Sequence, residues 1–204
     1  MTQELAINGG KPVRYKLLPY GHQWIDEEDI KAVSEVLHSD WITQGPKVEE
    51  FEKNFATYVG ARYAIAVNSG TAALHAACFA ANIEEGDEVI TTPITFAASA
   101  NCVLYQGGTP VFADIDTDTL NIEPEEIEKK ITKKTKALIP VDFTGLPVNL
   151  EKILQITKDN NLTIIEDASH ALGATYKGSK IGSISDMTIF SFHPVKHITT
   201  EKVE

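Results

Sequence analysis

Two segments near the start of the chain space their apolar residues at helical intervals. In the first, 26–38, Ile30, Val33 and Leu37 fall on one stripe. Asp26 stands at the N-cap position and Glu27, Glu28 and Asp29 follow it. A capping carboxylate takes the orphan N–H groups of a first turn, and more negative charge there complements the helix dipole. In the second, 46–59, Val48, Phe51 and Phe55 form the stripe. Pro46 suits the first helical position, and Gly60 suits a left-handed stop.

The pattern then changes to short apolar runs at 63–67, 88–91, 110–113, 137–141, 163–166 and 188–192. Helical spacing fits between them at 71–81, 97–106, 125–131 and 150–160. The last interval, 173–186, is rich in Gly and Ser and reads as irregular. Alternating strands and helices predict an α/β domain around a mainly parallel sheet of about six strands with flanking helices.

Composition narrows the picture further. The 204 residues are 43% hydrophobic and 23% charged, values that exclude a disordered or collagenous chain. No apolar run is long enough for a membrane span, and the opening MTQELAINGGKPVR lacks the apolar core of a secretory signal. A net charge of −11 disfavours nucleic acid or an anionic membrane as the main partner. Cys78 and Cys102 lie in Ala-rich helical segments, and no CxxC is present. Two packing thiols in a reducing cytoplasm are expected, with no metal site.

In a parallel sheet, ligands collect at the carboxyl ends of the strands. After 63–67 comes Asn68-Ser69-Gly70-Thr71 and a helical pattern. The N–H groups of a helix start favour an anion such as phosphate, and Gly70 permits a close approach; a plain N-cap would read the same way. Phe96, after the second run, is either core or a stacking surface for a planar ligand. Asp142, after the fourth, either touches ligand or caps a turn. The fifth run leads to Glu166-Asp167-Ala168-Ser169-His170. Strand alternation turns one of the two acids inward, where a carboxylate needs a partner. A protonated ring nitrogen of a cofactor would serve, with His170 in reach; a capping Asp beside a surface His is the alternative. The sixth run leads through His193-Pro194-Val195 to Lys196. A desolvated amine there can form a Schiff base, although most lysines are solvated surface charge. Taken together, these are the parts that a pyridoxal phosphate site needs.

The same residues carry a resemblance. Trp41-Ile42-Thr43-Gln44-Gly45, Asn68-Ser69-Gly70-Thr71-Ala72-Ala73-Leu74 and Thr91-Thr92-Pro93 are three of its segments. Glu166-Asp167-Ala168-Ser169-His170-Ala171-Leu172-Gly173 and Ser191-Phe192-His193-Pro194-Val195-Lys196 are the others. From Pro19 onward the chain resembles the DegT/DnrJ/EryC1/StrS family of sugar aminotransferases, which have the fold-type-I pyridoxal phosphate architecture. The resemblance implies that Lys196 attaches the cofactor and moves a proton, and that Asp167 pairs with the pyridinium nitrogen. It implies Ser69, Gly70, Thr71 and Ser191 around the phosphate, Phe96 on the ring face and His170 near the ring hydroxyl. Thr43, Gln44, Asp142 and His193 are implied on the substrate side. A lysine at 196 argues against the family's dehydratases, which carry His there.

Within the family, Pro93-Ile94-Thr95-Phe96, Val141-Asp142-Phe143-Thr144-Gly145 and His197-Ile198-Thr199-Thr200 look most like one branch. It makes UDP-4-amino-4,6-dideoxy-N-acetyl-β-L-altrosamine, a precursor of pseudaminic acid. The implied reaction passes an amino group from L-glutamate to C4 of a UDP-linked 4-keto-6-deoxy sugar in a homodimer. The implied domains are an N-terminal helical segment at 1–60 and a cofactor-binding large domain at 61–204. Family members are longer. After Thr199-Thr200 they continue into a Glu-Gly-Gly turn and an interior antiparallel strand, where this chain reads Glu201-Lys202-Val203-Glu204. The resemblance therefore implies an N-terminal half, with the rest of the large domain and the small domain missing. A catalytically inactive fragment that binds pyridoxal phosphate or a partner chain is the alternative reading.

Overall fold

The computed structural model describes residues 4–19 and 21–200. Helix α1 (Glu27–Leu37) opens with a capping box. The Asp26 carboxylate accepts from the N–H groups of Glu28 and Asp29, and the Asp29 carboxylate accepts from the Asp26 N–H. Its apolar stripe departs from expectation: Ile30, Val33 and Leu37 are all exposed, and the described elements leave that face open. Helix α2 (Pro46–Val59) stops at Gly60, whose φ of 79° is the left-handed cap. Its Phe51 and Phe55 dock edge-on against Phe190 and Phe192, with centroids 5.2–5.5 Å apart.

Five parallel strands form the main sheet: β1 (Glu88–Thr91), β2 (Thr109–Phe112), β3 (Thr135–Ile139), β4 (Thr163–Asp167) and β7 (Met187–Ile189). Their order is β2-β1-β3-β4-β7. Helices α3 (Gly70–Ala80) and α4 (Ala98–Tyr105) cover one face, packing Leu74, Cys78, Cys102 and Val103 against Val89, Ile139 and Ile165. Helices α5 (Pro124–Lys130) and α6 (Leu150–Asn160) cover the other, packing Ile127, Leu150 and Ile153 against Ile90, Leu138 and Ile164. Neighbouring residues of one strand thus enter opposite cores, as the two-residue period requires.

Two expectations need correction. The run 63–67 forms no strand and joins no sheet; Tyr63 and Ile65 are 71% and 82% exposed. A β-rich run becomes a strand only when a neighbouring backbone takes its hydrogen bonds, and among the described residues none pairs with it. Its Ala66 N–H is instead taken by the Glu52 carboxylate at 2.8 Å. The interval 173–186 is not wholly irregular: β5 (Thr175–Tyr176) and β6 (Ser179–Lys180) form a hairpin. Lys177 and Gly178 turn it with φ of 49° and 86°, the mirror-image turn that matches strand twist. Glu201 to Glu204, where the sequence departs from the family turn, lie outside the described residues. Among the described residues, no helix is long and apolar enough to cross a membrane.

Candidate active site at the strand ends

Asp167 ends β4 on the face covered by α3 and α4, and it is buried. Its carboxylate is held from two sides. Ser99 Oγ, on α4, donates to Oδ2 at 2.7 Å; Ser169 Oγ donates to Oδ1 at 2.6 Å, supported by the Ser169 N–H at 3.2 Å. Thr95 Oγ1 lies 2.7 Å from Ser99 Oγ. With the Ser99 proton on Asp167, the Thr95 hydroxyl donates to Ser99, and a relay of hydroxyls fixes the acid. Sequence reasoning missed Ser99, Thr95 and Ser169. The available signals were a serine inside an apolar helical stretch and the Asp-x-Ser spacing of an Asx turn. Glu166 is a second surprise: it is as buried as Asp167. The rule that one acid faces inward fails because both faces of this sheet are covered.

Lys196 follows β7 on a turn built by His193, whose carbonyl accepts the Lys196 N–H at 2.8 Å. His193 Nδ1 takes the Val195 N–H at 3.3 Å, and Gln23 Nε2 donates to the Pro194 carbonyl at 2.8 Å. Burial pushes the Lys196 ammonium below its ordinary pKa, and the Asp167 charge opposes that in part. Burial likewise lowers His170, with Lys196 and His197 adding to the effect and Asp167 opposing it. Asp167, His170 and Lys196 therefore sit in one electrostatic cluster.

Ser69 caps α3, its hydroxyl accepting the Ala72 N–H at 3.1 Å. The N–H groups of the first turn lack intrahelical partners by construction. A Cβ on Gly70 would lie 3.5 Å from Ser191 Cβ and 3.9 Å from Ser169 Oγ. The helix start, the end of the sixth run and the Asp167 turn thus converge on Gly70. Phe96 precedes α4 with its ring 77% exposed, so it is available as a surface and is not core.

The substrate-side residues scatter. Thr43 and Gln44 lie exposed between α1 and α2, Gln44 with φ of 56°. Among the described residues no hydrogen bond or ring contact is seen between them and the cluster. Asp142 is fully buried, and its Oδ1 accepts the Val148 N–H at 3.0 Å, the turn-holding alternative of the two. It anchors a loop and meets no open space. Among the described residues, no acid, His and Cys cluster suits a metal ion.

Comparison with known proteins follows the same outline. A profile of the DegT/DnrJ/EryC1/StrS aminotransferase family matches residues 23–202. The spore coat polysaccharide biosynthesis protein SpsC of Bacillus subtilis is 49% identical over 187 residues, which are 92% of this chain and 48% of SpsC. Among solved structures, a sugar aminotransferase of Streptococcus pneumoniae in its PLP form superposes with a TM-score of 0.88 at 36% identity. That match covers 91% of this chain and 51% of the other. Helicobacter pylori PseC, an aminotransferase involved in the biosynthesis of pseudoaminic acid, superposes at 0.85 with 39% identity, covering 90% and 50%. The chain spans about half the length of the curated relatives it matches.

Proposed function

We infer the reaction from kinship and geometry together: the chain belongs to the DegT/DnrJ/EryC1/StrS aminotransferase family. The proposed activity is a pyridoxal-phosphate-dependent transamination of a sugar, to which this chain contributes the cofactor-holding part. The observation that carries it is the Asp167 carboxylate, buried and held by Ser99 and Ser169, with the depressed Lys196 amine in its field.

When bound, pyridoxal phosphate supplies an aldehyde for amines and a ring that takes up electrons. The residues present fit it. Asp167 would hold a protonated ring nitrogen. Ser69, Gly70, Thr71 and Ser191, converging at the start of α3, would take the phosphate. Phe96 offers its exposed ring as a stacking face, and His170, in the field of Asp167 and Lys196, would meet the ring hydroxyl. Lys196 Nζ, uncharged in a larger fraction than a solvated lysine, would attach the cofactor. Once an incoming amine has released it, the same nitrogen would be the base placed to move the proton at the amino-bearing carbon.

The finer reading is transfer from L-glutamate to C4 of a UDP-linked 4-keto-6-deoxy sugar, in surface-glycan synthesis of the pseudaminic acid type. The likeness to PseC and SpsC supports it. Thr43, Gln44 and His193 would line the sugar. A homodimer in a reducing cytoplasm completes the proposal; exposed Phe79, Leu104 and Tyr105 and two free cysteines support it.

The test is borohydride reduction of the chain after addition of pyridoxal phosphate, followed by peptide mapping. The expected result is a visible absorption band and label on Lys196. Label scattered over many lysines would overturn the reading. Assays with glutamate and UDP-keto-sugars decide the substrates.

A further inference from the structure

Behind Asp167, on the other face of the sheet, lie two acids that the proposed chemistry does not use. Asp142 and Glu166 are both fully buried. Each keeps one oxygen engaged: Asp142 Oδ1 accepts from the Val148 N–H at 3.0 Å, and Glu166 Oε2 from Thr188 Oγ1 at 3.1 Å. Their remaining oxygens, Asp142 Oδ2 and Glu166 Oε1, meet no donor. The two carboxyls lie within hydrogen-bonding reach of each other. Two touching carboxylates in a dry site cannot both stay ionised, and one proton between them turns repulsion into a strong hydrogen bond.

The other groups acting on the pair do not relieve it. Thr188 reaches it from β7 and the Val148 N–H from the loop after β3. Ser185 turns its hydroxyl toward Glu166 outside good hydrogen-bond geometry. Asp167, on the same strand as Glu166, adds a further negative charge that bears on Asp142.

We propose that Asp142 and Glu166 share a single proton in the folded chain and act as a positioning pair for Asp167. The Asp142 N–H donates to the Asp167 carbonyl at 3.1 Å, and the Asp167 N–H to the Pro140 carbonyl at 2.9 Å. The Asp142 carboxyl also closes the loop 143–148 through Val148. Within that loop Gly145 lies against the His170 carbonyl, where a Cβ would come within 2.8 Å. One proton therefore ties the ends of β3 and β4 at the level of Asp167 and His170. The role toward Asp167 rests on the proposed transaminase site; the proton does not.

Burial, then the neighbouring charge of Glu166, pushes Asp142 up to about 8, and burial raises Glu166 as well. The folded chain keeps a proton that the unfolded chain has lost. Between the ordinary carboxylate range and about pH 8, stability falls as pH rises, by up to about tenfold in the folding equilibrium per pH unit. In Asp142→Asn the amide keeps an oxygen for Val148 and donates an N–H to Glu166 without titrating.

The experiment compares the wild-type chain with Asp142→Asn. Infrared spectra at neutral pH should show a protonated carboxyl C=O stretch in the wild type and none in the variant. Urea denaturation over pH should show the fall in the wild type and a flatter profile in the variant. Titration with pyridoxamine phosphate should weaken above about pH 8 in the wild type alone. A missing band, or parallel stability profiles, overturns the shared proton. A band with identical pyridoxamine phosphate profiles in both proteins overturns the positioning role. No pyridoxamine phosphate binding at any pH overturns the transaminase reading, and the positioning role falls with it.

Discussion

Asp167 is restrained by hydroxyl groups, not by a cation, which leaves its charge available to a ligand. Removing Ser99 leaves a buried carboxylate oxygen without its donor from α4. Ser99→Ala is expected to lower stability by about 1–3 kcal/mol in urea denaturation, and Thr95→Val by less, since Thr95 touches the acid only through Ser99. Lys196 differs from the surface lysines in the direction of its shift: burial lowers it, whereas the Glu50 carboxylate raises Lys47. An amine reagent should therefore modify Lys196 at lower pH than Lys47, as read by mass spectrometry of the labelled peptides. The strand-end position of Asp167 and Lys196 was legible because chemistry-bearing residues interrupt apolar runs there. Ser99 was hidden because a small polar residue in an Ala-rich helix looks neutral until the strand it faces is known.

At the level of elements, local signals read well and partner-dependent ones did not. Asp26, Pro46, Gly60 and Ser69 mark helix ends through chemistry confined to a single turn, and α1, α2 and α3 begin or stop beside them. A strand depends on a distant backbone, so 63–67 had the right composition and no neighbour. The stripe of α1 shows the same limit, since periodicity declares a face without saying what covers it. Ile30→Ser should change the stability of this chain by no more than about 0.5 kcal/mol in urea denaturation. Phe55, by contrast, meets three other rings. Phe55→Ala should cost about 2 kcal/mol, because α2 docks onto the end of the sheet through that cluster.

Across the whole molecule, protection should follow the sheet. Amide hydrogen exchange is expected to be slow through 163–167, buried on both faces, and fast through 63–67. Equal rates in the two segments would contradict the strand order. That order also has a temporal meaning. After β1 and β2 pair, each later strand of the sheet joins the same flank in the sequence in which it leaves the ribosome. The proposed anion cradle is assembled only after β7, because Gly70 emerges early and waits for Ser191, which follows that strand. A ligand that bridges these two residues binds only after β7 has joined the sheet, so its affinity becomes folding free energy for every strand between them. Cofactor supply during synthesis would then govern how much of the nascent chain escapes proteolysis, independently of any turnover.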